Sequence, residues 1–339
     1  MKIINNFIKN NILNSIEEGI ANVSFQNRDK KFVINGFFIN QDYDKYELSN
    51  SHNIQINTNF QNIKLNGIEF NSLIFEMEFD IKKLDRNLEI FIKNKRYKTY
   101  QHYFGVPHYF FKQEIPNLNL MQKIGCDDNS WYKCGGFTLA KKIIKIIETQ
   151  KFNKKIDIID LGGGTGRVAD HLIKGGYKNL TLCDTDNELT NFASKIGIKT
   201  ENNFFNINDV HFDLIFSHSL FSHIDMNEIK KILLHSEKIL KTNGIMCMSF
   251  LSKSALLFEA VTKFQSILYI LGKNIVVKKK NVNYHPALAK TKGDFPKYYH
   301  GYFNSEKLIN NLLPPKLRII KNLSAYSHHQ DLILIKKIN

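Results

Sequence analysis

A strand that runs into a turn of glycines and restarts as a helix leaves a chain little freedom, and residues 158–173 carry that arrangement. Ile158-Ile159-Asp160-Leu161 is a short apolar run closed by an aspartate and a leucine. Gly162-Gly163-Gly164-Thr165-Gly166-Arg167 follows, and Val168, Ala169, Leu172 and Ile173 continue with helical spacing. Such a turn lets the backbone approach a nucleotide closely. Glycine is required there because a Cβ would collide with the ligand or force an unfavourable φ. The spacing Gly162-x-Gly164-x-Gly166 is not the G-x-G-x-x-G of a dinucleotide fold, and no Gly-Lys-Ser/Thr follows to make a phosphate loop. Leu180-Thr181-Leu182-Cys183-Asp184 is a second β-like run. It ends in an acid about 20 residues further on, where a carboxylate can take ribose hydroxyls. An NAD dehydrogenase would also place an acid at Asp184, so these two features leave two nucleotide classes open.

A third feature separates them. Phe212-Asp213-Leu214-Ile215-Phe216-Ser217 reads as a strand, and His218-Ser219-Leu220-Phe221-Ser222-His223-Ile224 as the loop after it. Asp225-Met226-Asn227-Glu228 reads as a capping box. Ile229, Ile232, Leu233, Ile239 and Leu240 give the following helix one apolar face. Thr242-Asn243-Gly244 ends that helix, and Ile245 to Phe250 is the next strand. In this order the segments resemble the class I S-adenosylmethionine (SAM) methyltransferases. Their first motif looks like Asp160–Gly166, their second-strand acid like Asp184, and their fourth strand and its loop like residues 212–224. The resemblance covers about two thirds of the chain. It implies an α/β fold, a Rossmann-like sheet that is parallel with an antiparallel last strand, supplied by Asp331–Ile335 beside Leu317–Ile320. It also implies S-adenosyl-L-methionine as cofactor.

Site residues follow from that resemblance. Asp184 would hold the ribose. The turn formed by Gly162, Gly163, Gly164 and Gly166 would approach the methionine end, with Asp160 orienting the turn or the amino group. Thr185 and Ser217 stand at the same two strand ends. The loop holding Asn203, Asn206, Ile207 and Asp209 would flank adenine. Methyl transfer is an in-line displacement, so alignment carries most of the catalysis. A sugar hydroxyl is a poor nucleophile and needs a positioned base. His223 is the first choice, because it ends the loop that faces the methyl group in this family. His300, His285 and His218 are alternatives. Asp225 either orients a histidine or caps the helix. No tight Asp/Glu/His cluster calls for a metal.

Composition limits the remaining choices. With 339 residues and 43% hydrophobic content, the chain can bury a full core. No apolar run approaches bilayer length, so no membrane span is expected, and the start Met1-Lys2-Ile3-Ile4-Asn5-Asn6 does not read as a signal peptide. Cys126, Cys134, Cys183 and Cys247 lack metal-type spacing and read as reduced thiols, which points to the cytoplasm. The net charge of +15 invites a nucleic-acid reading. Its lysines are scattered, however, and Lys278-Lys279-Lys280 is the only tight basic run. Ser217-His218-Ser219-Leu220 stands where a base-amine methyltransferase would carry Asn/Asp-Pro-Pro-aromatic. No nucleic-acid partner is therefore expected.

The N-terminal third has a different pattern. Residues 2–19 read as an amphipathic helix. Phe32–Ile39, Ile54–Ile56, Ile63–Leu65, Leu73–Phe79 and Leu88–Ile92 are β-like. We read residues 1–115 as a helix plus a β-rich accessory module, with packing, a homodimer contact or substrate binding as its open roles. Residues 116–339 are read as the methyltransferase domain. Residues 99–135 read as an irregular aromatic connection, Gly135-Gly136 as the start of a helix, and Ser252 to Leu271 as one helix. The layout resembles methyltransferases of bacterial surface-polysaccharide pathways, those acting on a capsular heptose above all. That implies O-methylation of a sugar hydroxyl for capsule polysaccharide, on a small-molecule nucleotide sugar such as a GDP-heptose. A small non-sugar acceptor and a non-catalytic binding protein are the rival readings.

Overall fold

A computed structural model describes residues 2–15, 19–28, 31–40, 45–95, 100–126, 128–208, 211–258, 261–278, 300–327 and 330–339. His285 and Asp209 lie outside the described residues, as do Lys279 and Lys280. The chain opens with helix α1 (Lys2–Leu13). Two antiparallel sheets follow. One has the order β1-β2-β5-β4, from β1 (Ile20–Arg28), β2 (Lys31–Ile39), β4 (Asn57–Leu65) and β5 (Ile68–Phe79). The other has the order β3-β6-β7, from β3 (Tyr46–Asn50), β6 (Leu88–Asn94) and β7 (Tyr100–Val106). Strand β7 corrects the reading of residues 99–135 as irregular. His102, Phe104 and Val106 are buried at alternate positions, a period of two that the mixed aromatic and polar composition hides.

Helices α2 (Leu118–Lys123) and α3 (Asn129–Thr149) lead into the main sheet. Helix α3 does not begin at Gly135-Gly136. It begins six residues earlier, capped by Asp128, whose carboxylate accepts from the Trp131 N–H at 2.6 Å. Both glycines lie inside it, Gly136 for a packing reason: its Cβ would sit 2.5 Å from the Arg167 carbonyl oxygen. Only a bare backbone lets α3 lie this close to the glycine turn.

The main sheet then alternates strand and helix: β8 (Ile158–Leu161), α4 (Ala169–Lys174), β9 (Leu180–Cys183), α5 (Asn187–Lys195), β10 (Lys199–Glu201), β11 (Phe212–Ser217), α6 (Met226–Ile239) and β12 (Leu240–Leu251). After these come α7 (Lys263–Ile270), β13 (Ile275–Lys278), β14 (His300–Phe303), α8 (Glu306–Leu312), β15 (Leu317–Ser327) and β16 (Gln330–Lys337). The order β10-β9-β8-β11-β12 is parallel throughout. β16 joins β12 antiparallel and β15 completes the edge. This is the Rossmann-like sheet, parallel with an antiparallel last strand, expected from the sequence. Alternate residues of each strand feed the two faces: Ile158, Leu214 and Cys247 pack with α3 and α4, whereas Ile159, Ile215 and Met248 pack with α6 and α8. Burial on both faces explains why these strands read as continuous apolar runs.

Two boundaries differ from expectation. Leu240 is the first residue of β12, not the last of the helix, so Thr242-Asn243-Gly244 lies within the strand. Asn243 has φ of 65°, which bends it there. The segment from Ser252 is not one helix: it forms a 3-10 turn over Ser254–Leu257, and α7 starts separately at its own Thr262 capping box. All four cysteines are buried free thiols.

Asp331, near the start of β16, is a buried carboxyl that accepts from the Ala325 N–H at 2.8 Å and the Ser254 hydroxyl at 3.4 Å. Burial pushes it up to about 6; hydrogen bonds from Ser252, Ala325 and Ser254 partly oppose the rise. The unfolded value is about 3.9, so the folded chain holds this proton more tightly. That stabilisation is present below the unfolded value and is lost as pH rises through the folded one. Asp331→Asn is therefore expected to stabilise the protein near neutral pH by roughly 2–3 kcal/mol and to do little near pH 4. Urea midpoints measured at both pH values check this.

Candidate functional site

The sheet order reverses between β8 and β11, and ligands of such sheets bind in the crevice beyond the strand ends at that switch. Asp160 pairs with Phe216 across β8 and β11, and Leu161 with Cys183 across β8 and β9. Asp160, Asp184 and Ser217 therefore meet at one edge.

The turn is built as its glycines require. Gly162, Gly164 and Gly166 have φ of 72°, 57° and 81°, which L side chains rarely adopt. A Cβ on Gly163 would meet the Asp160 carboxyl carbon at 2.7 Å, so that carboxylate lies directly against the turn. The Gly162 N–H donates to the Cys183 carbonyl at 2.7 Å, which pins the turn to β9. The Gly164 N–H donates to Asp184 Oδ2 at 2.9 Å, and the Asp186 N–H to Asp184 Oδ1 at 3.0 Å. Burial raises the Asp184 carboxyl; those N–H bonds pull it back.

Several residues that the sequence did not single out complete this cleft. The Tyr132 hydroxyl, buried on α3, lies 2.9 Å from Thr165 Oγ1 and braces the turn from behind. Ile124, just after α2, lies over Gly164, where a Cβ would approach it to 2.8 Å. Lys123 ties the same segment to the first turn of α5, at 2.8 Å from Asp186 and 2.6 Å from Glu188. Local spacing cannot reveal these contacts, since they span 33 to 65 residues.

The other wall is the loop after β11. Leu220 covers Gly162, and the His223 N–H donates to the Leu220 carbonyl at 2.9 Å. His223 and His218 are both half-buried on this loop. His223 Nε2 lies 3.5 Å from the Ser219 hydroxyl. His300 is on β14, paired with Lys278 of β13; Tyr302 of the same strand donates its N–H to the Ser222 carbonyl at 2.9 Å. Asp225 caps α6, accepting from the N–H groups of Asn227 and Glu228. The reciprocal half of the expected capping box gives way to a Glu228–Lys231 pair at 2.6 Å. Asn206 is exposed in a short 3-10 turn, Ile207 packs half-buried toward α6, and Thr185 is exposed beside Asp184. Among the described residues, no group of three His, Cys, Asp or Glu side chains could hold a metal, and no helix is long and apolar enough to cross a membrane. A separate cavity of about 230 Å³ lies between β6, β7 and α3, lined by Glu89, Tyr103, Lys141 and Lys145 among others; it does not reach the glycine turn.

Residues 159–248 match the model of a family described as a methyltransferase domain. That match takes in the glycine turn, Asp184 and the loop after β11. Similar solved structures include the magnesium protoporphyrin IX methyltransferase of Synechocystis with bound SAM, 11% identical with a TM-score of 0.41, covering 67% of this chain and 88% of that one. Another is the 1,6-didemethyltoxoflavin-N1-methyltransferase of Burkholderia thailandensis, 13% identical with a TM-score of 0.41, covering 72% and 98%. A third is a SAM-dependent methyltransferase of Mesorhizobium loti, 12% identical with a TM-score of 0.40, covering 57% and 96%. No curated protein matches the sequence.

The cleft suits SAM on its own chemistry. Asp160 Oδ2 and Ser217 Oγ are buried at the strand ends with no hydrogen-bond partner among the described residues. Burial, then Asp184, raises the Asp160 carboxyl well above its ordinary range, and Arg167 opposes this. Buried polar atoms without partners are costly. A ligand ammonium group would satisfy such acceptors.

Proposed function

We propose that this chain transfers the SAM methyl group to a sugar hydroxyl, on a nucleotide-activated sugar of the GDP-heptose kind used for bacterial surface polysaccharide. The observation that carries the reading is the loop after β11, which lays Leu220 on Gly162 and holds His223 on the same turn. A hydroxyl acceptor needs its proton removed as the bond forms, and a histidine on this wall supplies the base.

In this reading SAM brings a methyl already activated on sulfur, and the chain's residues place and deprotonate the acceptor. Asp184 holds the ribose hydroxyls. Asp160 and Ser217 accept from the amino end, and the glycine turn brings its backbone against the same end. His223 Nε2 takes the acceptor proton. His218 and His300 are the next candidates for that role. Residues 1–115 form the accessory module and 116–339 the catalytic domain, with the acceptor entering between the loop after β11 and the cofactor cleft.

A coupled assay of S-adenosylhomocysteine release tests the substrate, using SAM with GDP-heptoses, other nucleotide sugars, free sugars and bulk tRNA. Turnover on a nucleotide sugar is expected. Turnover on tRNA alone would remove the substrate reading. Turnover on a carboxylate or phosphate-like oxygen would favour a small non-sugar acceptor, which needs no base.

A further inference from the structure

Behind His223 lies a closed ring of hydrogen bonds drawn from three separate elements. The Ser219 N–H donates to Ser249 Oγ at 2.7 Å, linking the loop to β12. Ser249 Oγ donates to Gln330 Oε1 at 2.6 Å, linking β12 to β16. Gln330 Nε2 donates to Ser219 Oγ at 3.0 Å, returning to the loop. Ser249 is fully buried and Gln330 nearly so. Two residues of a neighbouring strand pair are thus aimed at one loop serine.

The distances agree with the direction of the ring. An O–H···O bond is short, about 2.7 Å, and an N–H···O bond about 2.9–3.0 Å. The 2.6 Å contact is made by the Gln330 carbonyl oxygen and the 3.0 Å contact by its amide nitrogen, as this predicts. With Ser219 Oγ accepting from that amide, its own proton is left to donate elsewhere. His223 Nε2 lies 3.5 Å away. Ser219 also holds φ of 66°, a conformation a non-glycine residue keeps only where its surroundings impose it. Such strain gathers at functional sites.

We propose that Gln330, held by Ser249, orients the Ser219 hydroxyl toward His223 and so keeps Nε2 unprotonated in the substrate-free protein, until the acceptor hydroxyl takes the place of Ser219 on that nitrogen; Gln330 and Ser249 are positioning residues of the acceptor site. This deepens the reading of His223 as the base. The amide is essential to it because it donates at one end and accepts at the other. A carboxylate in its place accepts from both serines. The Ser219 proton then turns away, and Ser219 Oγ can only accept from an Nε2–H.

Gln330→Glu is nearly the same size, so it separates this role from packing. The first test needs no substrate: nitrogen NMR of the histidine-labelled full chain, with the His223 signal assigned by its loss in His223→Ala. Wild type is expected to show an unprotonated Nε2 and Gln330→Glu a protonated one. An unchanged His223 signal in a folded Gln330→Glu protein would overturn the proposal. If that variant does not fold, Ser219→Ala serves instead. It removes the hydroxyl donor, and the ring is expected to relax toward the Nε2–H tautomer that imidazole prefers in water; no change would again overturn the proposal. In turnover, Gln330→Glu is expected to lower kcat by about tenfold or more with the KM for SAM unchanged. In a His223→Ala background it should add nothing further. If His223→Ala alone leaves turnover intact, the base reading fails, while the NMR result still judges the ring.

Discussion

Replacing His223 with alanine is expected to lower kcat by about 10²–10⁴-fold, the usual contribution of a positioned base, while leaving SAM affinity within about twofold. The separation follows from where the two functions sit. The proposed cofactor contacts come from β8, β9 and the glycine turn, whereas His223 stands on the loop after β11 and meets that turn through Leu220. Isothermal titration with SAM and the release assay on the accepted sugar measure the two quantities independently. A kcat reduced less than about threefold, well below a base's contribution, would transfer the role to another histidine or point to an acceptor already ionised at neutral pH. His218→Ala is the comparison, because His218 shares the loop.

The parts of the site that were legible in the sequence share one property: their requirements are local. A positive φ at Gly162, Gly164 and Gly166 shows as glycine whatever surrounds it. Strands buried on both faces show as apolar runs, which is why β8, β9, β11 and β12 could be placed. The misread parts depend on partners distant in sequence. Gly135 and Gly136 looked like a helix start because glycine is poor inside helices. The reason for Gly136 is Arg167, 31 residues on, whose carbonyl leaves no room for a Cβ. Strand β7 was hidden because His102 fills an inward position usually apolar; it packs edge-on against Phe38 at 5.6 Å. Tyr132 stood in the sequence as one aromatic among many, and nothing near it announces Thr165. Gln330 was harder still: its partners Ser249 and Ser219 are 81 and 111 residues away, and a lone glutamine beside a strand carries no signal.

Asp184→Ala is expected to weaken SAM binding a hundredfold or more. In the structure each carboxylate oxygen accepts one backbone N–H, from Gly164 and from Asp186, and a carboxylate oxygen has room for a second bond. The two ribose hydroxyls can therefore be taken without breaking what holds the turn. Hydrogen bonds to a charged group contribute about 1.5–3 kcal/mol each, so two lost together exceed the roughly 2.8 kcal/mol that a hundredfold in Kd represents. Alanine also leaves the Gly164 N–H without its acceptor, which loosens the turn itself. Asp184→Asn separates these contributions. Its carbonyl oxygen can still accept one N–H, but its amide group donates where the carboxylate accepted. A loss of about tenfold is expected for it, set by one retained bond of the original set. Calorimetric Kd values for both variants decide between a ribose grip and a turn brace. Equal losses in the two would assign the carboxylate to the ribose and to charge. Loss confined to alanine, with asparagine binding SAM as wild type does, would leave Asp184 only the task of holding Gly164, and the ribose would then have to be gripped from another wall of the cleft.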